Sequence, residues 1–325
     1  MRDTTIRELI KLAREDNRIN LITGDLGFGV LKPFWEALPD QFINAGIAEQ
    51  NLTGVAAGMA LEGKIAFTYS IGNFPTLRCL EQIRNDCAYH NANVKIICVG
   101  GGYVYGALGV SHHATEDIAC LRALPNVTVI CPGDAVEAEH AIKAIAETDG
   151  TFYLRLGRGG ERLVNTSMTE FTIGKAYPIR EAKGGGKRVA VFSTGAILDE
   201  VADACDMLEK QGIAVAQYSF PTVKPIDRET ILACANEFEH IFTVEEHNIT
   251  GGFGSAVAEV MVGADVRAKL HRLGISDIYC EAVGTQAYLR DCVGISAEGI
   301  AEAVGKVMAI PHNSRRTACL NIIPS

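Results

Sequence analysis

Glu49 stands near the start of a run of small residues, Ala48-Glu49-Gln50-Asn51-Leu52-Thr53-Gly54-Val55-Ala56-Ala57-Gly58-Met59-Ala60. Its apolar positions recur at helical spacing, which predicts a helix with a carboxylate close to its N-terminus. Gly54, Ala56, Ala57 and Gly58 leave little side-chain bulk, so another element can pack closely there. A carboxyl group in such a place is partly stripped of water, and desolvation raises its pKa towards the range of useful proton exchange. The bland alternative is a glutamate that only complements the helix dipole.

Four further residues follow predicted strands. Asp25 lies in the glycine-rich turn Gly24-Asp25-Leu26-Gly27-Phe28-Gly29, which has no Gly-Lys-Ser/Thr and so predicts no P-loop. Phe74 follows the strand Lys64 to Tyr69. His112 and His113 sit in a long loop, Tyr103 to Thr115, which also carries Tyr105. Two adjacent histidines on an extended backbone face opposite ways, so one points into a site and the other to solvent or a structural partner. No acid or cysteine stands at a spacing that would complete a metal site with them. Arg158 follows the strand Phe152 to Leu156.

The elements that must position these residues are those of a parallel α/β fold. The sequence predicts a helix from Thr4 to Glu15 and strands at Ile19–Thr23, Phe42–Asn44, Val94–Val99 and Val127–Ile130. It predicts helices at 77–90, 116–124 and 135–147. Val94 to Val99 is mostly apolar, as in a strand covered on both faces. Sheets of this class place ligands beyond the carboxyl ends of their strands, where Asp25, Phe74, His112 and Arg158 fall as a group. Asn165 to Lys187, with Gly184-Gly185-Gly186, reads as a linker. A second α/β unit follows, with strands at 189–193, 214–220, 240–244 and 277–279 and a last helix from Ala297 to Met308. Glu246 and His247 in that unit read as structural. The tail after Pro311 reads as mobile at its end.

Composition narrows the function. The 325 residues suffice for two domains, and 48% are hydrophobic, as in a globular protein. A net charge of −9 argues against a nucleic-acid or anionic-membrane surface. The ten cysteines are scattered without a Cys-x-x-Cys pair and read as reduced thiols of a cytoplasmic protein. No apolar run is long enough to span a membrane.

Taken together, the segments GIAEQNLTGVAAGMAL, FTYSIGNFPTLRCLEQIR, GALGVSHHATEDIACLRALPNVTVICPGDAVEA, YLRLGRGG, VKPID and VEEHNITGGFGSAVAE resemble the C-terminal half of transketolase. The resemblance implies two parallel-sheet domains: a pyrimidine-binding domain at 1–163, a linker at 164–187 and a transketolase C-terminal domain at 188–325. It is similar to the small subunit of a split, two-chain transketolase, and Ala48-Glu49-Gln50 also resembles 1-deoxyxylulose-5-phosphate synthase. The implied activity is thiamine diphosphate-dependent transfer of a two-carbon ketol unit from a ketose, in phosphorylated form, to an aldose. The family holds the cofactor's diphosphate through Mg²⁺ with a Gly-Asp-Gly motif. That motif is absent here: Gly24-Asp25-Leu26 and Gly133-Asp134-Ala135 both depart from it. The resemblance therefore implies a partner N-terminal subunit that holds diphosphate and metal, in an assembly of two chains of each kind.

Residue by residue, the resemblance places Glu49 against the cofactor's aminopyrimidine, where an acid shares a proton with the ring nitrogen. Phe74 falls at the stacking ring, Ile71 at the family's first aromatic position, and Asp25 near the cofactor. His112 matches a histidine that contacts the donor sugar, and His113 takes the next position. Arg158 and Arg2 match phosphate-binding arginines. Two positions depart from the pattern: Leu108 stands where the family commonly has an aspartate, and Gly100 where it has a histidine. An apolar Leu108 cannot read a hydroxyl, which puts ordinary pentose-phosphate selectivity in question. The rival readings are the beta subunit of a 2-oxoacid dehydrogenase, a deoxyxylulose-phosphate synthase-like enzyme, and a non-catalytic regulatory subunit.

Overall fold

Every residue of the strands Val94–Val99 and Thr151–Leu156 is buried, so both faces of the sheet they share must be covered. The computed structural model, which describes residues 1–309, covers them with helices. The tail after Pro311, expected to be mobile at its end, lies outside the described residues.

In the first half, α1 (Arg2–Glu15) leads to β1 (Ile19–Thr23), α2 (Phe28–Ala37) to β2 (Phe42–Asn44), and α3 (Glu49–Leu61) to β3 (Ile65–Ile71). An irregular helical stretch around α4 (Leu80–Gln82) leads to β4 (Val94–Val99). Then come α5 (Asp117–Arg122), β5 (Val127–Ile130), α6 (Ala135–Glu147) and β6 (Thr151–Leu156). The second half runs β7 (Tyr177–Arg180), β8 (Lys187–Thr194), α7 (Leu198–Lys210), β9 (Ile213–Ser219), β10 (Thr222–Lys224) and α8 (Arg228–Glu237). It closes with β11 (His240–Asn248), α9 (Phe253–Val262), β12 (Lys269–Ile275), α10 (Gln286–Cys292) and α11 (Ala297–Ala309).

The first sheet has the order β10-β5-β6-β4-β3-β1-β2 and is parallel except where β10 pairs antiparallel with β5. The second has the order β12-β11-β8-β9-β7 and is parallel except at β7. Strand β10 belongs by sequence to the second half, so it stitches the two halves together at Thr222–Ile130. One apolar core runs continuously from Ile22, Leu52 and Ile96 in the first half to Phe192, Phe220 and Phe253 in the second.

The structure departs from the sequence reading in four places. The Gly24–Gly29 turn is shorter than expected: Gly27, at φ 80°, ends it and α2 starts at Phe28. The helix expected at 77–90 is broken into a 3₁₀ turn, α4 and a π-helical turn at Ile83–Ala88. The segment read as a linker carries β7, with Tyr177 paired to Ser219, and buries Met168 and Phe171. The last strand is not Asp277–Tyr279 but β12, whose Lys269 and Arg272 mask its pattern because it is an edge strand.

Candidate active site

Glu49 is the first residue of α3. β2 ends at Asn44, Gly46 turns the chain at φ 74°, and Ala48 precedes the helix without a side chain able to cap it. The Glu49 side chain is thereby carried into the protein, and the residue is only 5% exposed. Its Oε2 accepts a hydrogen bond from Arg78 Nη1 at 2.9 Å. The Arg78 guanidinium also lies over the Phe74 ring, 4.6 Å from its centroid. Phe74 is held by a turn at the end of β3, where its N–H donates to the Ile71 carbonyl at 3.0 Å. The irregular helix after Phe74 brings Arg78 back over that ring, and the Arg78 carbonyl accepts from Gln50 Nε2 at 3.1 Å. Carboxylate, planar cation and aromatic ring are thus in sequence.

The next partner is His112. The loop that carries it is closed by two backbone hydrogen bonds between Gly102 and Ala114. The His112 ring meets the Phe74 ring edge-on at 5.2 Å and the Tyr105 ring at 6.5 Å, and Ser111 Oγ lies 3.0 Å from His112 Nδ1. Arg158 stands 5.7 Å from the Tyr105 centroid. Arg2, the first residue of α1, lies within electrostatic range of Tyr69 and Tyr105. The Met1 amino group meets Glu161 at 2.9 Å, and Glu161 also accepts from Gly159 N at 2.8 Å, so the start of α1 is fastened to the turn that presents Arg158. Burial pushes the Tyr69 phenol well above its usual range, which keeps it a neutral hydroxyl.

Glu49, Phe74, His112, Arg158 and Arg2 are therefore brought together at the carboxyl ends of the strands by one chain of contacts through Arg78 and Tyr105. Three other candidates do not join it through their side chains. Asp25, at φ 55°, exchanges hydrogen bonds with Asn44: its N–H donates to Oδ1 and its Oδ1 accepts from Nδ2, each at 3.0 Å. Ile71 ends β3 and contributes its carbonyl to the Phe74 turn. His113 points away from His112, which ends a 3₁₀ turn at Val110–His112 while His113 itself is extended. It is 3% exposed, packs edge-on against Tyr103 at 4.9 Å, and burial pushes its pKa down. Arg78 and Tyr105 also belong to this chain of contacts, and the sequence alone marks neither as a site residue. No helical spacing marks Arg78, because Phe74 lies in a turn and the 3₁₀ helix starts only at Leu77. Tyr105 explains Gly100: a β-carbon there would stand 2.3 Å from Tyr105 Cδ2, so the ring fills the space of any side chain at position 100.

The model of the pyrimidine-binding domain of transketolase matches residues 1–162, and that of its C-terminal domain matches residues 179–300. The chain belongs to the transketolase family. It is 35% identical to a 6-deoxy-6-sulfo-D-fructose transketolase subunit of Clostridium sp. (strain MSTE9), covering 94% of each chain. It is 34% identical to an apulose-4-phosphate transketolase subunit of Actinobacillus succinogenes, over 84% of this chain and 86% of that one. Among solved structures it matches a split-gene transketolase described as an inactive β4 tetramer. That match has a TM-score of 0.84 and 34% identity, over 94% of this chain and 97% of the other.

The family implies dependence on thiamine diphosphate, and the residues present fit the cofactor's aminopyrimidine. The Glu49 carboxylate is buried, and its side-chain partner among the described residues is a planar, nitrogen-bearing group that also lies against Phe74. An aminopyrimidine is likewise flat and nitrogen-bearing, so it suits the same carboxylate and ring. Among the described residues no cluster of His, Cys, Asp and Glu could hold a metal ion, and no helix is long and apolar enough to cross a membrane.

Proposed function

We propose that this chain is the pyrimidine-binding subunit of a two-chain, thiamine diphosphate-dependent transketolase. It serves transfer of a two-carbon ketol unit from a phosphorylated ketose to an aldose acceptor, as a transferase of aldehyde or ketone groups. The observation that carries this reading is the Glu49 carboxylate, buried at the start of α3 beside Phe74 and Arg78.

The chemistry that the cofactor supplies when bound is a nucleophilic carbon with an electron sink. The chain's own residues do the rest. Glu49 holds a proton against the pyrimidine nitrogen, and Phe74 packs on that ring, with Ile71 beneath the turn and Asp25 at the neighbouring strand end. His112, half-buried between Phe74 and Tyr105, faces the donor sugar and can donate or accept a proton there. Arg158 and Arg2 take the terminal phosphate. His113 supports the loop from behind. Leu108 is 57% exposed on the same loop, so the donor meets an apolar surface where the family commonly has an acid.

The diphosphate and Mg²⁺ belong to a partner N-terminal subunit, because this chain has no Gly-Asp-Gly motif. The name of the split-gene relative, an inactive β4 tetramer, supports the need for that partner. The outward side of α3, with Ile47, Gln50, Gly58 and Leu61 exposed, is the surface on which it docks, in an assembly of two chains of each kind. The division into 1–163, 164–187 and 188–325 fits this reading, with β7 as an outlier strand of the second domain. The nine described cysteines are free thiols, which suits a cytoplasmic protein.

The test is calorimetry of thiamine diphosphate with Mg²⁺, on this chain alone and mixed with its partner, followed by a donor screen. Binding only in the mixture, with ketol transfer, is the expected result. Firm binding by the isolated chain, or oxidative decarboxylation of a 2-oxoacid by the mixture, would overturn it.

A further inference from the structure

Glu246, in β11 of the second domain, is 3% exposed and lies beneath the loop that carries Tyr105, His112 and His113. Its Oε1 accepts from the Tyr103 backbone N–H at 2.6 Å and from Gln286 Nε2 at 3.0 Å. Its Oε2 accepts from Arg290 Nε at 2.8 Å and lies 2.7 Å from Arg290 Nη2. The Glu246 carbonyl accepts from Arg155 Nη2 at 3.0 Å, and the same nitrogen donates to the Ala114 carbonyl at 2.7 Å. One residue of the second domain is therefore bonded to both ends of the loop: to Tyr103 directly and to Ala114 through Arg155. The loop backbone rests on it, since a β-carbon at Gly102 would lie 2.6 Å from the Glu246 carboxylate.

The contact continues towards the candidate site. Tyr103 packs on His113, and the His113 carbonyl accepts from Asn73 Nδ2, the residue before Phe74. His112, next in the chain, faces Phe74 itself. Arg290 is also buried, donates to the Ala196 carbonyl at 2.9 Å and pairs with Glu200 at 3.4 Å, so the anchor is tied in turn to the loop before α7. Charge-assisted bonds among buried groups are short, directional and costly to break, which suits a fixed support better than a hinge.

We propose that Glu246 is a positioning residue: with Arg290 it lets the second domain fix the loop that presents His112 to the donor. It thereby sets affinity for the donor rather than for the cofactor. The donor part of this inference rests on the transketolase reading above. The loop part does not.

Two measurements on Glu246→Gln test it, with Arg290→Met and the conservative Arg290→Lys alongside. The glutamine keeps an acceptor for Tyr103 N–H but loses the charge that holds Arg290. In the isolated chain, amides of residues 101–115 are expected to exchange about tenfold faster than in the wild type, with those of β1 and β3 unchanged. In the complex with the partner subunit, donor KM is expected to rise about tenfold with cofactor binding within about twofold, and Arg290→Lys recovers most of the loss that Arg290→Met causes. A lower melting temperature with wild-type exchange in 101–115 and wild-type KM would overturn the proposal and leave Glu246 as a domain fastener only. Should Glu246→Gln not fold, Gln286→Ala removes one donor from the same carboxylate and is read by the same exchange experiment. A wild-type complex without transfer would instead count against the transketolase reading, while the exchange result would still decide whether Glu246 holds the loop.

Discussion

Arg78 binds Glu49 through one guanidinium nitrogen, at 2.9 Å, while the face of the same guanidinium lies on Phe74. A buried acid is thus supplied with a flat donor that an aromatic ring supports. The geometry separates the roles of the two charged residues. Glu49 is buried and anchored at a helix start, whereas Arg78 is half exposed on an irregular turn and can leave.

Glu49→Gln tests the acid. The amide has nearly the same shape and still accepts from Arg78, so the fold and melting temperature should stay close to wild type. Transfer by the complex should fall by about 10²–10⁴-fold, the usual worth of a positioned acid or base. Wild-type turnover would remove Glu49 from the mechanism.

Arg78→Met tests the competition. A partly exposed ion pair contributes only about 0–1 kcal/mol, so stability should change little. Removing the guanidinium frees both the carboxylate and the ring face, and thiamine diphosphate should bind the complex up to about fivefold tighter, the equivalent of that energy. Calorimetry decides. Weaker binding would mean that Arg78 supports the bound ring instead of yielding to it.

The strands that frame this site are legible in the sequence because Val94–Val99 and Val127–Ile130 are mostly apolar runs, as in a sheet covered on both faces. The helix beginning at Glu49 is legible from its periodicity. The opposite facing of His112 and His113 is as expected, although the backbone there is not extended: His112 ends a 3₁₀ turn. Arg78 is not legible, because its reach onto Phe74 depends on the breakdown of residues 77–88 into 3₁₀ and π turns, which no periodicity encodes. Glu246 reads from sequence as merely structural. Its neighbourhood shows a strand end, while its partners Tyr103, Arg155 and Arg290 are distant in sequence and converge only in the fold. Strand β12 escapes a sequence reading because an edge strand carries charges that break the apolar signal.

His247 gives the fold a pH dependence. It is buried with Asp117 3.8 Å from Nε2 and Glu245 3.7 Å from Nδ1, and burial pushes its pKa down to about 4 despite Asp117. The unfolded chain takes up a proton near the ordinary histidine value, the folded chain only near 4. The neutral ring thus favours folding above about pH 6.5, and that contribution is lost as pH falls towards 4, up to on the order of 3 kcal/mol. Glu245, pushed up to about 7 by burial, works in the opposite direction. The comparison that isolates His247 is therefore with His247→Gln. In urea unfolding the wild type should lose more stability than the variant between about pH 7 and pH 5. Parallel losses would show that the ring titrates normally in the fold.

Gly100 and Tyr105 make the last test, because they replace a family histidine with a ring that arrives from elsewhere in the loop. Gly100 has φ 98°, a conformation that side chains resist, and its absent β-carbon would overlap Tyr105 at 2.3 and 2.4 Å. Gly100→Ala must therefore push the Tyr105 ring aside and separate it from His112 and Arg158. Tyr105→Ala removes the ring without backbone strain. If the ring shapes the donor site, both variants should raise donor KM by about tenfold while leaving cofactor affinity near wild type. Both variants should lose stability, Tyr105→Ala through lost packing and Gly100→Ala by about 1–3 kcal/mol of backbone strain. An unchanged KM for Tyr105→Ala would place the ring outside the donor site and leave the loss in Gly100→Ala to the backbone alone.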